Sequence, residues 1–182
     1  LDAALGDLRA GLASALEGVD GLLGPVVDLI TIEPGCESAV AAALGEALRG
    51  VVARDADAAR AALARLRSTG TAGTVLVPAS GVPEFQGPEL ENAGSAARPV
   101  TGCVGSSVPG LGTVLGRLLA GTVVVDGTWE QALSVALANP HLVVVTPDGD
   151  RLDGRGAWHA GGTAIGATPA AAEDARRKAA EA

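Results

Sequence analysis

The sequence predicts an α/β fold of mixed α+β character: two pseudo-symmetric lobes, each a small sheet with packed helices, flanked by helical segments with coiled-coil spacing. Two observations carry this. A short design occurs twice: VVARDADAARAALARL from Val51 leads to Val75-Leu76-Val77-Pro78, and VVVDGTWEQALSVAL from Val123 leads to Val143-Val144-Val145-Thr146-Pro147. Each copy is an apolar β-branched run, an Asp (Asp55, Asp126), a helix-period stretch and a second apolar run, the order of a strand–helix–strand unit. The second observation is at the ends. Leu1, Leu5, Leu8, Leu12, Ala15 and Val19 follow a heptad seam, and an Ala-rich, charged run follows Pro169.

Between those ends the elements read in order. Val26 to Ile32 is a predicted strand, broken by Glu33-Pro34-Gly35. Cys36 to Arg49 is a predicted helix with Val40, Ala43, Leu44 and Ala47 on one face and Gly50 as its stop. Asp55 or Asp57 caps the next helix, whose stripe is Ala59, Ala62, Leu63 and Leu66 and whose end is Gly70. Residues 79 to 110 are rich in Gly, Pro and Ser and form a connector, with one short strand near Val100 to Val104. Val114, Leu115, Leu118 and Leu119 form a helix stripe ending at Gly121, and Thr122 to Val125 is a strand. Thr128 and Gln131 have capping-box spacing. The helix they open carries Ala132, Leu133, Ala136 and Leu137 and stops at Asn139-Pro140. A strand over Leu142 to Thr146 and a turn at Asp148-Gly149 follow.

Composition excludes several functions. The 182 residues are 48% hydrophobic but only 2% aromatic, so the core is Val, Leu and Ala. A net charge of -8 argues against diffuse nucleic-acid binding by the whole surface. Cys36 and Cys103 have no CxxC and no clustered His, which points to two buried reduced thiols rather than zinc. No apolar run approaches the roughly 20 residues of a membrane span and no signal peptide is visible, so the expectation is a cytoplasmic location. The start at Leu1, without Met, reads as a piece of a longer protein. Gly110, Gly112 and Gly116 are spaced GxGxxxG, not the GxGxxG of a dinucleotide site, and no P-loop motif occurs. His141 and His159 have no ligand or acid–base partner at useful spacing, and no nucleophile elbow surrounds Ser106-Ser107. The rival to a structural module is therefore a small α/β nucleotide- or ligand-binding domain. No cofactor or metal is expected.

The segment DGDRLDGRGAWHAGG, Asp148 to Gly162, stands apart. Gly154, Gly156, Gly161 and Gly162 crowd around Trp158, a pattern suited to close backbone approach. With it, the sequence resembles the hinge domain of SMC (structural maintenance of chromosomes) proteins of bacterial type. The resemblance rests on GLLGPVVDLITIEPGCESAVAAALGEALRGVV at Gly21 to Val52, LLAGTVVVDGTWEQAL at Leu118 to Leu133, VVVTPDGD at Val143 to Asp150, and the closing Gly161-Gly162. One departure is that four residues, Ala157 to Ala160, separate Gly156 from Gly161, where the family leaves three.

The resemblance implies a coiled-coil stub over 1–20, hinge lobes over 21–102 and 103–168, and a second stub over 169–182, the two stubs running antiparallel. It implies a homodimer that joins two coiled-coil arms of a condensin-type chromosome-organising protein. The fragment itself would be no enzyme; the parent's ATPase heads would lie at the far ends of the arms, and other condensin subunits would bind elsewhere. Sheet edges that are a liability alone become adhesive in a pair. The expected contacts are Val75, Leu76 and Val77 on one side, and Gly154, Gly156, Gly161, Gly162, Thr163, Ala164 and Ile165 on the other. Weak, salt-sensitive DNA contact is expected through Arg151, Arg155, Arg176, Arg177 and Lys178, placing the protein on the nucleoid.

Overall fold

Val51–Ala53 and Thr122–Val125 are buried at every residue, so each strand must be covered on both faces. The computed structural model describes residues 11–78 and 97–161 and places these strands inside two different sheets. The first sheet has the order β1 (Leu22–Pro25), β3 (Val51–Ala53), β4 (Val75–Leu76). The second has the order β10 (Trp158–His159), β9 (Arg151–Asp153), β8 (Val143–Val145), β7 (Thr122–Val125), β5 (Ala97–Pro99). A two-stranded ribbon, β2 (Thr31–Ile32) with β6 (Val104–Gly105), links the halves. The duplicated design is real: β3–α4–β4 and β7–α6–β8 are both parallel strand pairs joined by a helix, α4 being Ala56–Thr69 and α6 Trp129–Ala138.

Period-2 alternation divides the strand residues between layers. Val51 faces Leu66 and Ala62 of α4, with Leu12 and Leu16 from the N-terminal segment, where residues 11–15 form the described part of helix α1. Val123, Val125 and Val144 face Ala132 and Ala136 of α6. Val52, Leu76, Val124 and Val145 point the other way, into one cluster with Val40 and Ala39 of α3 (Glu37–Leu44) and Leu111 and Leu115 of α5 (Leu111–Leu118). The lobes expected from the repeat thus share a central core and are not independently cored. At roughly 1.5–3 kcal/mol for each fully buried Val or Leu, that shared cluster is the largest cohesive contribution.

Several expectations change in detail. In place of one strand over Val26 to Ile32, the chain has β1, a single helical turn α2 (Val26–Leu29), and β2. The β1 ladder runs out at Pro25 opposite Val51, and the turn then drops Val26 into the core, its N–H bonded to the Gly50 carbonyl at 2.9 Å. The predicted helix over Cys36 to Arg49 splits into α3 and a 3-10 turn, Gly45–Arg49, because Gly45 takes φ 54. The strand expected near Val100 to Val104 becomes β5, a 3-10 turn at Val100–Cys103, and β6. Residues i and i+3 of a 3-10 turn share a side, so Val100 and Cys103 both face the core. Since β5 pairs with β7, the second sheet already begins at Ala97, ahead of the expected junction at 102/103. Leu118 and Leu137, expected on packed stripes, are exposed.

The helix punctuation agrees with the sequence. Asp55 caps α4 by accepting the Ala58 N–H at 2.8 Å, which holds its carboxyl below the ordinary value, with the Arg54 side chain assisting. Gly70 closes α4 in the left-handed region. Thr128 and Gln131 complete a reciprocal capping box on α6. Asp126, the counterpart of Asp55 in the repeat, does not cap; it accepts from Arg98 instead. Thr128→Ala removes half of the α6 box and is expected to cost about 1 kcal/mol, read as a fall in the thermal unfolding midpoint with the native helix signal retained below it.

Candidate subunit interface

A sheet adds a strand only where a ladder is open. Among the described residues, β4 ends the first sheet and β10 ends the second, with no strand on the outer side of either. β4 holds Val75 and Leu76 of the expected contacts, whereas β10 lies between Gly156 and Gly161 and contains none of the residues expected there. At β4 the side chains turn inward: Leu76 is buried in the central core, and Val75 and Val77 pack on Ala53, Ala58 and Ala59. What β4 offers outward is backbone. At β10 the side chains are offered as well, since Trp158 is 51% exposed. It borders a groove of about 440 Å³ lined by Trp129, Leu133, Leu152 and Ala160. Trp129 is 58% exposed and Leu137 is 62% exposed, so Trp129, Leu133 and Leu137 form a second apolar stripe on α6, beside the buried Ala132 and Ala136. The stripe expected from the sequence joins Leu133 and Leu137 to Ala132 and Ala136 and omits Trp129, although the i, i+4, i+8 spacing of Trp129, Leu133 and Leu137 is visible in the sequence. Both Trp residues of the chain stand here.

The glycines expected at the contact divide by what surrounds them. A Cβ on Gly154 would lie 2.6 Å from the Pro140 Cα and 2.8 Å from the Asn139 carbonyl. A Cβ on Gly161 would strike the backbone of Asp148, Gly149 and Asp150. Both glycines are therefore demanded by packing within the chain. Gly156 has open space around it and takes φ 103 in the β9–β10 turn. Asp150, which the sequence reading did not single out, ties this region together. Its carboxylate accepts the Thr146 hydroxyl at 2.7 Å and the Gly161 N–H at 2.6 Å. The end of β10 is thus pinned to the turn after β8. Gly162, Thr163, Ala164 and Ile165 lie outside the described residues.

The basic candidates are already engaged. Arg151 Nη1 donates to the carbonyls of Ala42 and Ala43, both at 2.9 Å, capping the end of α3 across the central interface. Arg155 is exposed but forks onto Asp153, with Nε to Oδ1 at 3.0 Å and Nη2 to Oδ2 at 2.8 Å. The Arg155 side-chain and backbone hydrogen bonds hold the largely buried Asp153 carboxyl down at about 2, and Asp153 in turn raises Arg155. Arg176, Arg177 and Lys178 lie outside the described residues.

Other chemistry is accounted for by the fold. Gly110 takes φ 78 as the N-cap of α5, and Gly112 lies on that helix, so the GxGxxxG spacing is a helix start. Glu33, Cys36 and Cys103 bring ligand atoms within 4.8 Å of one another. The Arg98 guanidinium, however, already lies 3.1 Å from each sulfur and 2.9 Å from Glu33, in the place a cation would need.

The family model described as "SMC proteins Flexible Hinge Domain" matches residues 19–136. The chain is 35% identical over 143 residues to "Chromosome partition protein Smc" of Mycobacterium leprae, covering 79% of this chain and 12% of that protein. It is 34% identical over 151 residues to the protein of the same name from Mycolicibacterium paratuberculosis, again 79% of this chain and 12% of the relative. Among solved structures, an asymmetric dimer of the Geobacillus stearothermophilus SMC hinge domain aligns with TM-score 0.68 at 22% identity, covering 96% of this chain and 72% of that one. The Pyrococcus furiosus SMC protein hinge domain aligns with TM-score 0.60 at 21% identity, covering 91% and 94%.

Two outcomes follow from the loop geometry. Gly154→Ala is expected to destabilise the chain by roughly 1–3 kcal/mol through overpacking on Pro140, measured by denaturant unfolding. Asp153 has a folded value near 2 against an ordinary 3.8, so its stabilising effect is complete above about pH 4 and disappears as pH falls through 2. Asp153→Asn should flatten that acid limb, read by circular dichroism against pH.

Proposed function

The chain belongs to the SMC flexible hinge domain family, and on that footing we propose that it is a homodimerisation module in which the β4 edge of one copy meets the β10 edge of the other. A two-fold axis then generates the same contact twice and closes the pair. The observation that carries this is the pairing of features at the two edges: open backbone at β4, and exposed Trp158 beside Trp129 at β10. Exposed aromatics at a sheet margin are the side chains that dominate interface energies. The Geobacillus stearothermophilus neighbour, described as a dimer, supports the reading, as does a Pyrococcus furiosus neighbour described with an extended coiled coil.

The chain spans 12% of the length of its Mycobacterium leprae relative. In the longer protein the module would join two coiled-coil arms and serve bacterial chromosome partition from the cytoplasm, on the nucleoid. Leu12, Ala15 and Val19 of the N-terminal seam pack with Leu16 in the cluster that covers α4, which is where the seam reaches the body of the domain. Weak, salt-sensitive DNA contact is the secondary part of the reading. It falls chiefly to Arg176, Arg177 and Lys178, because Arg151 and Arg155 are committed within the fold.

Sedimentation of the purified chain tests the main claim. The wild type should sediment as a dimer, and Trp158→Ala should raise the dissociation constant about 30-fold or more, the effect of a hot-spot residue, with its circular dichroism spectrum unchanged. A wild-type monomer at about 100 μM, far above the dissociation constants of stable dimers, would refute the reading.

A further inference from the structure

The two cysteines lie 67 positions apart, yet their sulfurs are 2.8 Å from each other. A disulfide bond is about 2.0 Å long, so closure asks for a movement of under about 1 Å. Cys36 sits at the N-cap of α3, and Cys103 ends the 3-10 turn that follows β5. Each is 1% exposed. Above them lies Arg98, whose Nη2 is 3.1 Å from Cys36 Sγ and whose Nη1 is 3.1 Å from Cys103 Sγ. Glu33 and Asp126 hold the guanidinium from its other sides, at 2.9 Å and 3.1 Å. The Arg98 side chain is 40% exposed and that of Glu33, 3.8 Å from Cys36 Sγ, is 53% exposed, so both stand between the thiols and solvent.

The dimer reading gives this cluster no task. Two inert core thiols need neither a cation on both sulfurs nor a pair of carboxylates to hold that cation. A guanidinium touching both sulfurs favours the thiolate form, which is the form that reacts. We propose that Cys36 and Cys103 are a redox pair that a hydroperoxide converts reversibly into an intramolecular disulfide beneath Arg98, tying the first half of the fold to the second.

The chemistry balances with hydrogen peroxide as the oxidant. Cys36 gives up its proton, and its thiolate attacks one peroxide oxygen. The O–O bond breaks, Cys36 becomes a sulfenic acid, and the released hydroxide takes up the lost proton to leave as water. Cys103 sulfur then attacks the Cys36 sulfur. The S–O bond breaks, and the departing hydroxide takes the Cys103 proton as a second water. Two thiols lose two electrons and two protons, and one peroxide becomes two waters. Cys36 is the attacking sulfur because it stands at the N-terminus of α3, where an anion is favoured, whereas Cys103 lies at the C-terminal end of its 3-10 turn and burial pushes its thiol up. The bond would close a loop over residues 36–103, whose ends adjoin β2 and β6, and so restrain the joint between the halves beside their ribbon.

The test exposes the native assembly to stoichiometric hydrogen peroxide, then counts free thiols after denaturation and maps peptides by mass spectrometry. Expected are loss of both thiols together, a mass lower by two hydrogens, a cross-linked peptide pair containing Cys36 and Cys103, an upward shift in the thermal midpoint, and full return with dithiothreitol. Cys36→Ser should leave Cys103 as a free thiol under the same exposure. Arg98→Gln should slow the wild-type reaction several-fold. Thiols that persist under an exposure that oxidises an equimolar small-molecule thiol would overturn the proposal. So would added oxygen without a cross-link, or a disulfide between copies. The thiol count is read on the wild type and does not depend on the dimer, so its outcome is separable from the sedimentation result.

Discussion

Double-sided burial of the valine strands is the constraint from which the rest of the molecule follows. Val51–Ala53 and Thr122–Val125 have no face to offer water. The crossing helices α4 and α6 cover one side of each, with small Ala residues allowing close helix-on-sheet approach. The remaining faces meet α3, α5, Val26 of α2 and the 3-10 residues Leu48, Val100 and Cys103 in one cluster that spans both sheets. A protein with so few aromatics gains cohesion from the number of such contacts, not from their individual size.

That arrangement leaves association to the margins. With the sheet faces consumed internally, the surfaces offered to a partner include the sheet edges, β4 and β10 among them, and the apolar stripe on α6. A dimerisation module benefits from this division, since its cohesion and its adhesion draw on different residues. Exposed Trp129 and Trp158 can be altered without disturbing Val124 or Val145.

The loop from Asp148 to Gly161 shows how a glycine cluster serves two ends. Gly154 and Gly161 satisfy close approach to the chain's own backbone, and Asp150 and Asp153 anchor the same stretch through hydrogen bonds. The result is a β10 strand held in a defined place at the sheet margin. Arg98, at the opposite side of the same sheet, does comparable work with charge: it joins Asp126 after β7, Glu33 after β2, and both sulfurs. The two halves are therefore coupled by packing, by the β2–β6 ribbon and by the guanidinium groups of Arg98 and Arg151.

The sequence by itself determined the repeated units, their helix caps and the family, but not the short elements over residues 26–32, 45–49 and 100–104. Two strand–helix–strand repeats, the Asp55 cap, the Gly70 stop and the Thr128–Gln131 box are all short-range matters, governed by spacing along the chain, and each stands where the pattern places it. The run at residues 75–77 was likewise legible as a strand, whereas the stretch around Trp158 read as a glycine-rich contact loop and not as strands β9 and β10. Tertiary structure alone decided which glycines face their own chain, that Arg151 caps α3 from 108 positions away, and that Cys36 meets Cys103. It also decided that β5 joins the second sheet and that the repeats share a core. Those outcomes depend on contacts between residues far apart in sequence, and no local periodicity records which distant face will be the neighbour.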